Sequence, residues 1–205
     1  LHIQMSLNSQ HKVDIINTML KEYRNLKVEV AVYDKVGKKI RSSQQKVSHV
    51  TANALTPVAQ LEDIKGLLDF SWVKLVLTTN NGKLLDDNVY WLNQKEWDGK
   101  VLTDLPVASV NVSVKNFAKK ANYYEGKLIV KNPGQYLAAA IALTLRNAKT
   151  DAPIRPAYFD DGYFYLMPGE SKEIRFQVDC KEGVDKMLLR VDGYNVESKD
   201  ILLNK

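Results

Sequence analysis

The chain has 205 residues, 45% of them hydrophobic and 26% charged, with a formal net charge of +5. It is too apolar for a disordered polypeptide, lacks the collagen period and has no run of about 18 apolar residues to span a bilayer as a helix. At about 100–200 residues per domain, one large or two small domains fit this length.

Charge and cysteine content narrow the function classes. Residues 1–100 carry 14 basic and 11 acidic groups, and residues 101–205 carry 15 and 13, so neither half makes a strong positive field. The densest basic cluster, Lys38, Lys39 and Arg41, follows a turn without a basic helix to extend it, and no nucleic-acid partner is expected. Cys180 is the one cysteine, so no internal disulfide forms, and flanked by Asp179 and Lys181 it reads as a structural thiol. His2, His11 and His49 lack the paired spacing of a zinc site, so neither a metal nor another cofactor is expected. The sequence starts at Leu1 without a charged and then apolar leader, which suggests polypeptide upstream and leaves the compartment open.

Taken in order, the elements are strands. Lys12 to Leu20 alternates, with Val13 and Ile15 on one face. Leu26 to Asp34 sets Val28, Val30 and Val32 against Lys27, Glu29 and Tyr33, the period of a half-buried strand. A turn through Gly37 leads into Lys39 to Val50, which pairs back as a hairpin. Phe70 to Thr79 aligns Val73, Leu75 and Leu77; Asn80-Asn81-Gly82 is a hairpin signal, and Leu84 to Leu92 returns. This half predicts an antiparallel sandwich of about seven strands.

Asn93 to Pro106 is polar and reads as a linker. Ser109 to Ala118 and Tyr124 to Lys131 are the next strands, closed by the turn Asn132-Pro133-Gly134. Gln135 to Arg146 could form a helix through Ala138 to Ala140, but it is short and lacks an N-cap, and the alternation of Ile141, Leu143 and Leu145 favours a strand. Strands follow at Ala157 to Phe159, Tyr163 to Leu166, Glu170 to Val178 and Met187 to Val191. The fold class is all-β, with two consecutive antiparallel sandwiches over residues 1–98 and 99–205.

Catalytic motifs are not evident. The acidic pairs Glu62-Asp63, Asp86-Asp87 and Asp160-Asp161 are adjacent, and neighbours on a strand point to opposite faces. They cannot face each other across a cleft as a glycosidase pair does. The chemically richest stretch is Arg155 to Leu166, with five aromatics, two acids and an arginine in twelve residues. Rings stack on the apolar faces of sugars while carboxylates and guanidinium bind hydroxyls. The plainer reading makes Phe159, Phe164 and Leu166 core residues and Asp160-Asp161-Gly162 a hairpin turn. Trp72, Trp91 and Trp97 read as core or interface residues.

Motif order then points to a family. Asn132-Pro133-Gly134 precedes the Leu137 to Arg146 strand, and R-P-A-Y-F-D-D-G-Y-F-Y-L-M-P-G-E runs from Arg155 to Glu170. This resembles the last immunoglobulin-like domain of glycoside hydrolase family 2 enzymes of the exo-β-glucosaminidase and β-mannosidase type, where P-x-F/Y-x-D-N-Y-F is followed by L-x-P-G-E. The first half resembles the preceding sandwich of that family through Ile15 to Thr18, L-K-V-x-V-x-V-Y-D at Leu26 to Asp34, and N-V-Y-W-L at Asn88 to Leu92. Gly162 stands where the family often has Asn, which removes a side-chain amide.

The resemblance implies two immunoglobulin-like sandwiches that are C-terminal accessory domains of a β-glycosidase. Their expected partner is a catalytic barrel carrying two glutamates; this chain has no alternating βα units to build one and is not expected to be an enzyme by itself. It also implies a periplasmic or extracellular parent. Tyr158, Asp160, Asp161 and Tyr163 are the candidates for facing an oligosaccharide substrate at the active-site rim, or the barrel. The alternative is an autonomous carbohydrate-binding or adhesin-like module.

Overall fold

A computed structural model describes residues 1–8, 11–61, 69–93, 100–179 and 186–203. Among them are fifteen strands and a single helical turn. The expected boundary between residues 98 and 99, Glu62-Asp63, Trp97 and Cys180 lie outside the described residues. By its contacts the chain divides into two compact units, one of Leu1–Lys35 and Lys39–Asp104, the other of Val36–Lys38 and Leu105–Lys205.

The first unit holds seven strands: β1 (His2–Met5), β2 (Lys12–Asn17), β3 (Tyr23–Tyr33), β4 (Lys39–Val50), β5 (Ala54–Gln60), β6 (Phe70–Thr79) and β7 (Leu84–Asn93). They form two antiparallel sheets, ordered β1-β2-β5 and β4-β3-β6-β7. The valines at 28, 30 and 32 and the row Val73, Leu75 and Leu77 face Ile3, Val13 and Ile15 in one core, as their alternation requires. Asp86 and Asp87 do point to opposite faces. Asp86 accepts the Ile3 amide at 2.7 Å, whereas Asp87 lies 3.9 Å from the Lys74 ammonium. Two strand positions further on, the Asn88 amide donates to the Ile3 carbonyl at 2.7 Å, and two beyond that the Tyr90 hydroxyl accepts from Met5 N–H at 3.2 Å. Alternate side chains of β7 thus occupy backbone groups along the outer edge of β1, which would otherwise be open for pairing.

The helical turn α1 (Lys100–Thr103) falls at the end of the first unit, and the second contains β8 (Asn111–Lys119), β9 (Tyr123–Lys131), β10 (Ala138–Asn147), β11 (Ala157–Phe159), β12 (Phe164–Leu166), β13 (Ser171–Asp179), β14 (Met187–Asp192) and β15 (Lys199–Leu203). Gln135 to Arg146 resolves in favour of the strand, β10. The sheets run β11-β13-β9-β8 and β12-β10-β14-β15, enclosing a core of Leu128, Ile141, Phe164, Ile174, Phe176 and Leu189 among others. One reading changes here. Asp160-Asp161-Gly162 is not a hairpin turn, because β11 pairs with β13 and β12 pairs with β10, in different sheets. The segment crosses from one sheet to the other, so Phe159 and Phe164 reach the core from opposite sides.

An ion-pair network lies on the β10–β14–β15 sheet. Arg146 donates to both Asp151 oxygens at 2.7 and 3.0 Å, and Arg190 donates to both Asp200 oxygens at 2.8 Å while also reaching Asp151 at 3.1 Å. Hydrogen bonds from Arg146 hold the Asp151 carboxyl below its ordinary value, and those from Arg190 do the same for Asp200. Lowered carboxylates favour the folded state above the usual carboxylate pKa of about 4, and that contribution disappears as pH falls through the folded value. The melting temperature of the chain is therefore expected to fall on acidification below about pH 4, less steeply in Arg190→Gln than in the parent sequence. Thermal melts across pH at low ionic strength measure this, and about 1 M salt should bring the two curves together. Parallel curves at low salt would remove the network from the account.

Candidate functional site

The outward face of the β11-β13-β9-β8 sheet is built by simple alternation. On β13, Ile174, Phe176 and Val178 are buried, so Arg175 and Gln177 stand outward. Gln177 lies opposite Tyr158 of β11 on one side and Glu125 of β9 on the other, and Arg175 lies opposite Lys127. A cross-strand row Tyr158–Gln177–Glu125 results, with Arg175 and Lys127 in the row beside it. At β8 the register shifts between Lys115 and Ala118, and within that bulge Asn116 takes a φ of +53°. The bulge re-aims the strand and brings Asn116 to the same groove, whose volume is about 470 Å³.

Charges in the groove are balanced locally. Arg175 Nε donates to Asp160 Oδ2 at 2.7 Å, and the Asp160 amide donates to the Arg175 carbonyl at 3.0 Å. The side-chain bond to the Asp160 carboxylate holds the Arg175 guanidinium even more firmly protonated than usual. Glu125 pairs with Lys120 at 3.1 Å, and Lys127 pairs with Glu173 at 2.8 Å. Lys127 hydrogen-bonds the Glu173 carboxyl and lowers its pKa. Tyr158 is 61% exposed. Among the described residues, no hydrogen bond or ring contact engages its side chain or the side-chain amides of Gln177 and Asn116.

The four candidate residues separate. Tyr158 and Asp160 line the groove, together with Arg175, Gln177, Glu125 and Asn116. Asp161 does not: its Oδ2 meets the Lys172 ammonium at 2.6 Å and its Oδ1 accepts the Gly162 amide at 2.7 Å. Tyr163 is also outside the groove lining, at the crossover with a φ of +58°, and is largely exposed. The partners from β8, β9 and β13 were not singled out in the sequence, although alternation in Tyr124–Lys131 and Glu170–Val178 already places Glu125 with Lys127, and Arg175 with Gln177, on common faces. Elsewhere, Trp72 is buried and Trp91 is half-exposed, their rings meeting edge to face at 6.1 Å. Among the described residues no cluster of three His, Cys, Asp or Glu side chains is placed to hold a metal, and no helix is long and apolar enough to cross a membrane.

Comparison with known proteins decides the family. The domain described as "Exo-beta-D-glucosaminidase Ig-fold domain" matches residues 88–196, more than half of the chain. The chain belongs to the exo-β-D-glucosaminidase Ig-fold domain family. The preceding residues, 9–94, match the "Mannosidase Ig/CBM-like domain". These placements agree with the glycoside hydrolase family 2 resemblance and with two immunoglobulin-like sandwiches. An exo-β-D-glucosaminidase of Arthroderma benhamiae is 28% identical over 173 residues, which covers 75% of this chain and 19% of that protein. Another from Hypocrea jecorina is 24% identical over 222 residues, covering 97% of this chain and 24% of the relative. The chain thus spans only about a fifth to a quarter of the curated relatives it matches.

Solved structures share the fold. The exo-chitosanase CsxA of Amycolatopsis orientalis superposes with a TM-score of 0.88 at 22% identity, over 99% of this chain and 26% of that one. A β-D-mannosidase from Dictyoglomus thermophilum gives 0.63 at 21% identity, over 95% of this chain and 21% of its own.

Proposed function

We propose that these two sandwiches are a non-catalytic accessory part of a β-glycosidase acting on glucosaminides or mannosides, and that they dock on its catalytic barrel. The observation that carries this reading is one of extent: 99% of the chain aligns with 26% of the exo-chitosanase at a TM-score of 0.88. The chemistry of the carboxylates in and beside the groove supports it. Asp160, Asp161 and Glu125 each have a cation of their own, and Asp160 and Glu125 have side chains nearly half exposed. Each is engaged by a neighbouring basic side chain and not by a second carboxyl across a cleft, the arrangement that glycosidic hydrolysis uses.

A feature of the first unit supports docking. Buried Asn17 donates to the carbonyls of Lys21 and Thr51, both at 2.8 Å, and accepts the Met19 amide at 3.1 Å. The loop is therefore fixed, yet it presents Met19 and Leu20 to solvent, Leu20 at 92% exposure. Exposed Leu55 lies opposite Ile16 on the adjoining sheet face. Large apolar side chains held outward by a rigid loop are what a partner surface provides.

The test is hydrolysis of p-nitrophenyl β-D-glucosaminide and β-D-mannoside by the purified chain and by the whole parent polypeptide. Turnover is expected from the parent only. Turnover by the purified chain that vanishes in Asp160→Asn/Asp161→Asn would overturn the reading. In the parent, Leu20→Ser is expected to lower the melting temperature of the catalytic part; an unchanged value would remove this loop from the interface.

A further inference from the structure

We infer that the outer groove of the β11-β13-β9-β8 sheet is a binding site for a neutral oligosaccharide, with Tyr158 as its stacking platform. The argument begins with what folding does not need. Ala157 and Phe159 pack against the core, so the intervening Tyr158 faces outward and contributes a large bare ring to a strand already held by its neighbours. An aromatic ring offers an apolar face together with a polar edge. The C–H face of a pyranose matches the first, and its hydroxyls match the second.

Hydrogen-bonding capacity converges on the same place. The Gln177 amide stands directly across from Tyr158, and the Asn116 amide enters from the β8 bulge. Each amide combines two donors with an acceptor, a set that suits hydroxyl groups, which both donate and accept. Glu125 continues the row beyond Gln177 with additional acceptor oxygens, and the Asp160–Arg175 pair borders the row with one acceptor group and one donor group.

Charge selects the ligand class. Arg175 is neutralised by Asp160, Glu125 by Lys120 and Lys127 by Glu173, and the groove lining itself holds two acids and two bases, so it has no surplus of either sign to favour a phosphate, a nucleic acid or a polycation. The volume of about 470 Å³ is in the range that holds small ligands, about 300–1,000 Å³. A protein partner would be better matched by apolar anchors than by this polar row with one ring. The groove thus adds a function to the second sandwich beyond docking. The choice of sugars below rests on the accessory-domain reading, whereas the groove argument does not.

The experiment is titration of the purified chain with β-1,4-linked mannotriose and the trimer of N-acetylglucosamine, both uncharged, followed by amide chemical shifts and calorimetry. Saturable shifts of Tyr158, Gln177 and Asn116 are expected, with a dissociation constant on the order of 1 mM. Tyr158→Ala should weaken binding at least about tenfold and Gln177→Ala by a smaller factor. Trp91→Ala, which removes the half-exposed indole of the other sandwich, should leave it unchanged. No shift at about 10 mM of either sugar, or binding that persists in Tyr158→Ala, overturns the inference. Shifts at these residues on adding the catalytic part of the parent, with none on adding sugar, would make the face a protein interface and likewise overturn it. The hydrolysis assay is independent, so the accessory reading survives any of these failures.

Discussion

Asn132→Ala is expected to destabilise the second sandwich by about 2–4 kcal/mol, far beyond the effect of an ordinary polar surface change. Asn132 is 0% exposed. Its side-chain amide donates to the carbonyls of Tyr136 at 2.8 Å and Leu166 at 2.9 Å, and its Oδ1 accepts the Gly134 amide at 3.0 Å. Its backbone is also engaged, donating to the Glu170 carbonyl and accepting from Gly169, each at 2.9 Å. One side chain therefore closes the turn after β9 and ties it to the end of β12. Truncation strands the buried Leu166 carbonyl and also removes the part-buried bonds to the Tyr136 carbonyl and the Gly134 amide, and a buried unpaired group costs about 1–3 kcal/mol. Asn132→Asp keeps the acceptor but turns a carboxylate towards two carbonyl oxygens, so it should be at least as damaging. Urea denaturation followed by circular dichroism measures both, with a lower midpoint expected at unchanged slope. Asn111→Ala, at an exposed position of β8, should stay within about 0.5 kcal/mol. An Asn132→Ala midpoint as small in its shift as that control would remove the stitch from the energetics.

The same device recurs at two further corners, and it marks where sequence reading stops. Asn17 satisfies two backbone groups of its own loop and the distant Thr51 carbonyl, and Asn195 donates to the carbonyls of Pro106 and Leu137 while accepting the Ala139 amide. In the sequence, Asn132 reads only as a turn former before Pro133 and Gly134, because local composition predicts the turn and not which distant carbonyls it shelters. Strands with clean alternation were legible, such as Val28-Val30-Val32 and Val73-Leu75-Leu77. Others were not. β1 is four residues long, and β5 contains Pro57, which its place at a sheet edge tolerates. β4 pairs as expected but is exposed on both faces for most of its length, so its polar sequence carries no burial period. The candidate site was half legible for a related reason. Composition drew attention to Tyr158 and Asp160, but that Gln177 and Glu125 stand in line with Tyr158 depends on register across three strands, which no local pattern encodes.

Phe176→Ala is expected to cost about 3–5 kcal/mol, and Gly126→Ala is expected to recover part of that loss. Phe176 is nearly fully buried and stacks between Phe117 and Phe159, both with ring centroids at 5.9 Å, while Phe117 continues the stack to Tyr124 at 5.6 Å. Removing the ring leaves the centre of this row empty, and flanking rings held by their own strands cannot close it. Gly126 faces Phe176 directly across the β9–β13 ladder, and a Cβ placed there would lie 2.7 Å from the ring edge. Alone, Gly126→Ala therefore overpacks the site and should cost about 1–3 kcal/mol. In the double variant the overpacking is gone and the new methyl enters the space the ring has left, so the two costs should fall short of their sum by more than the cost of Gly126→Ala alone, about 1–3 kcal/mol. A double-mutant cycle in urea measures that coupling. Strict additivity would mean that the backbone at Gly126 moves away from Phe176 freely, and the rigid floor beneath the Tyr158–Gln177–Glu125 row would then have to be given up.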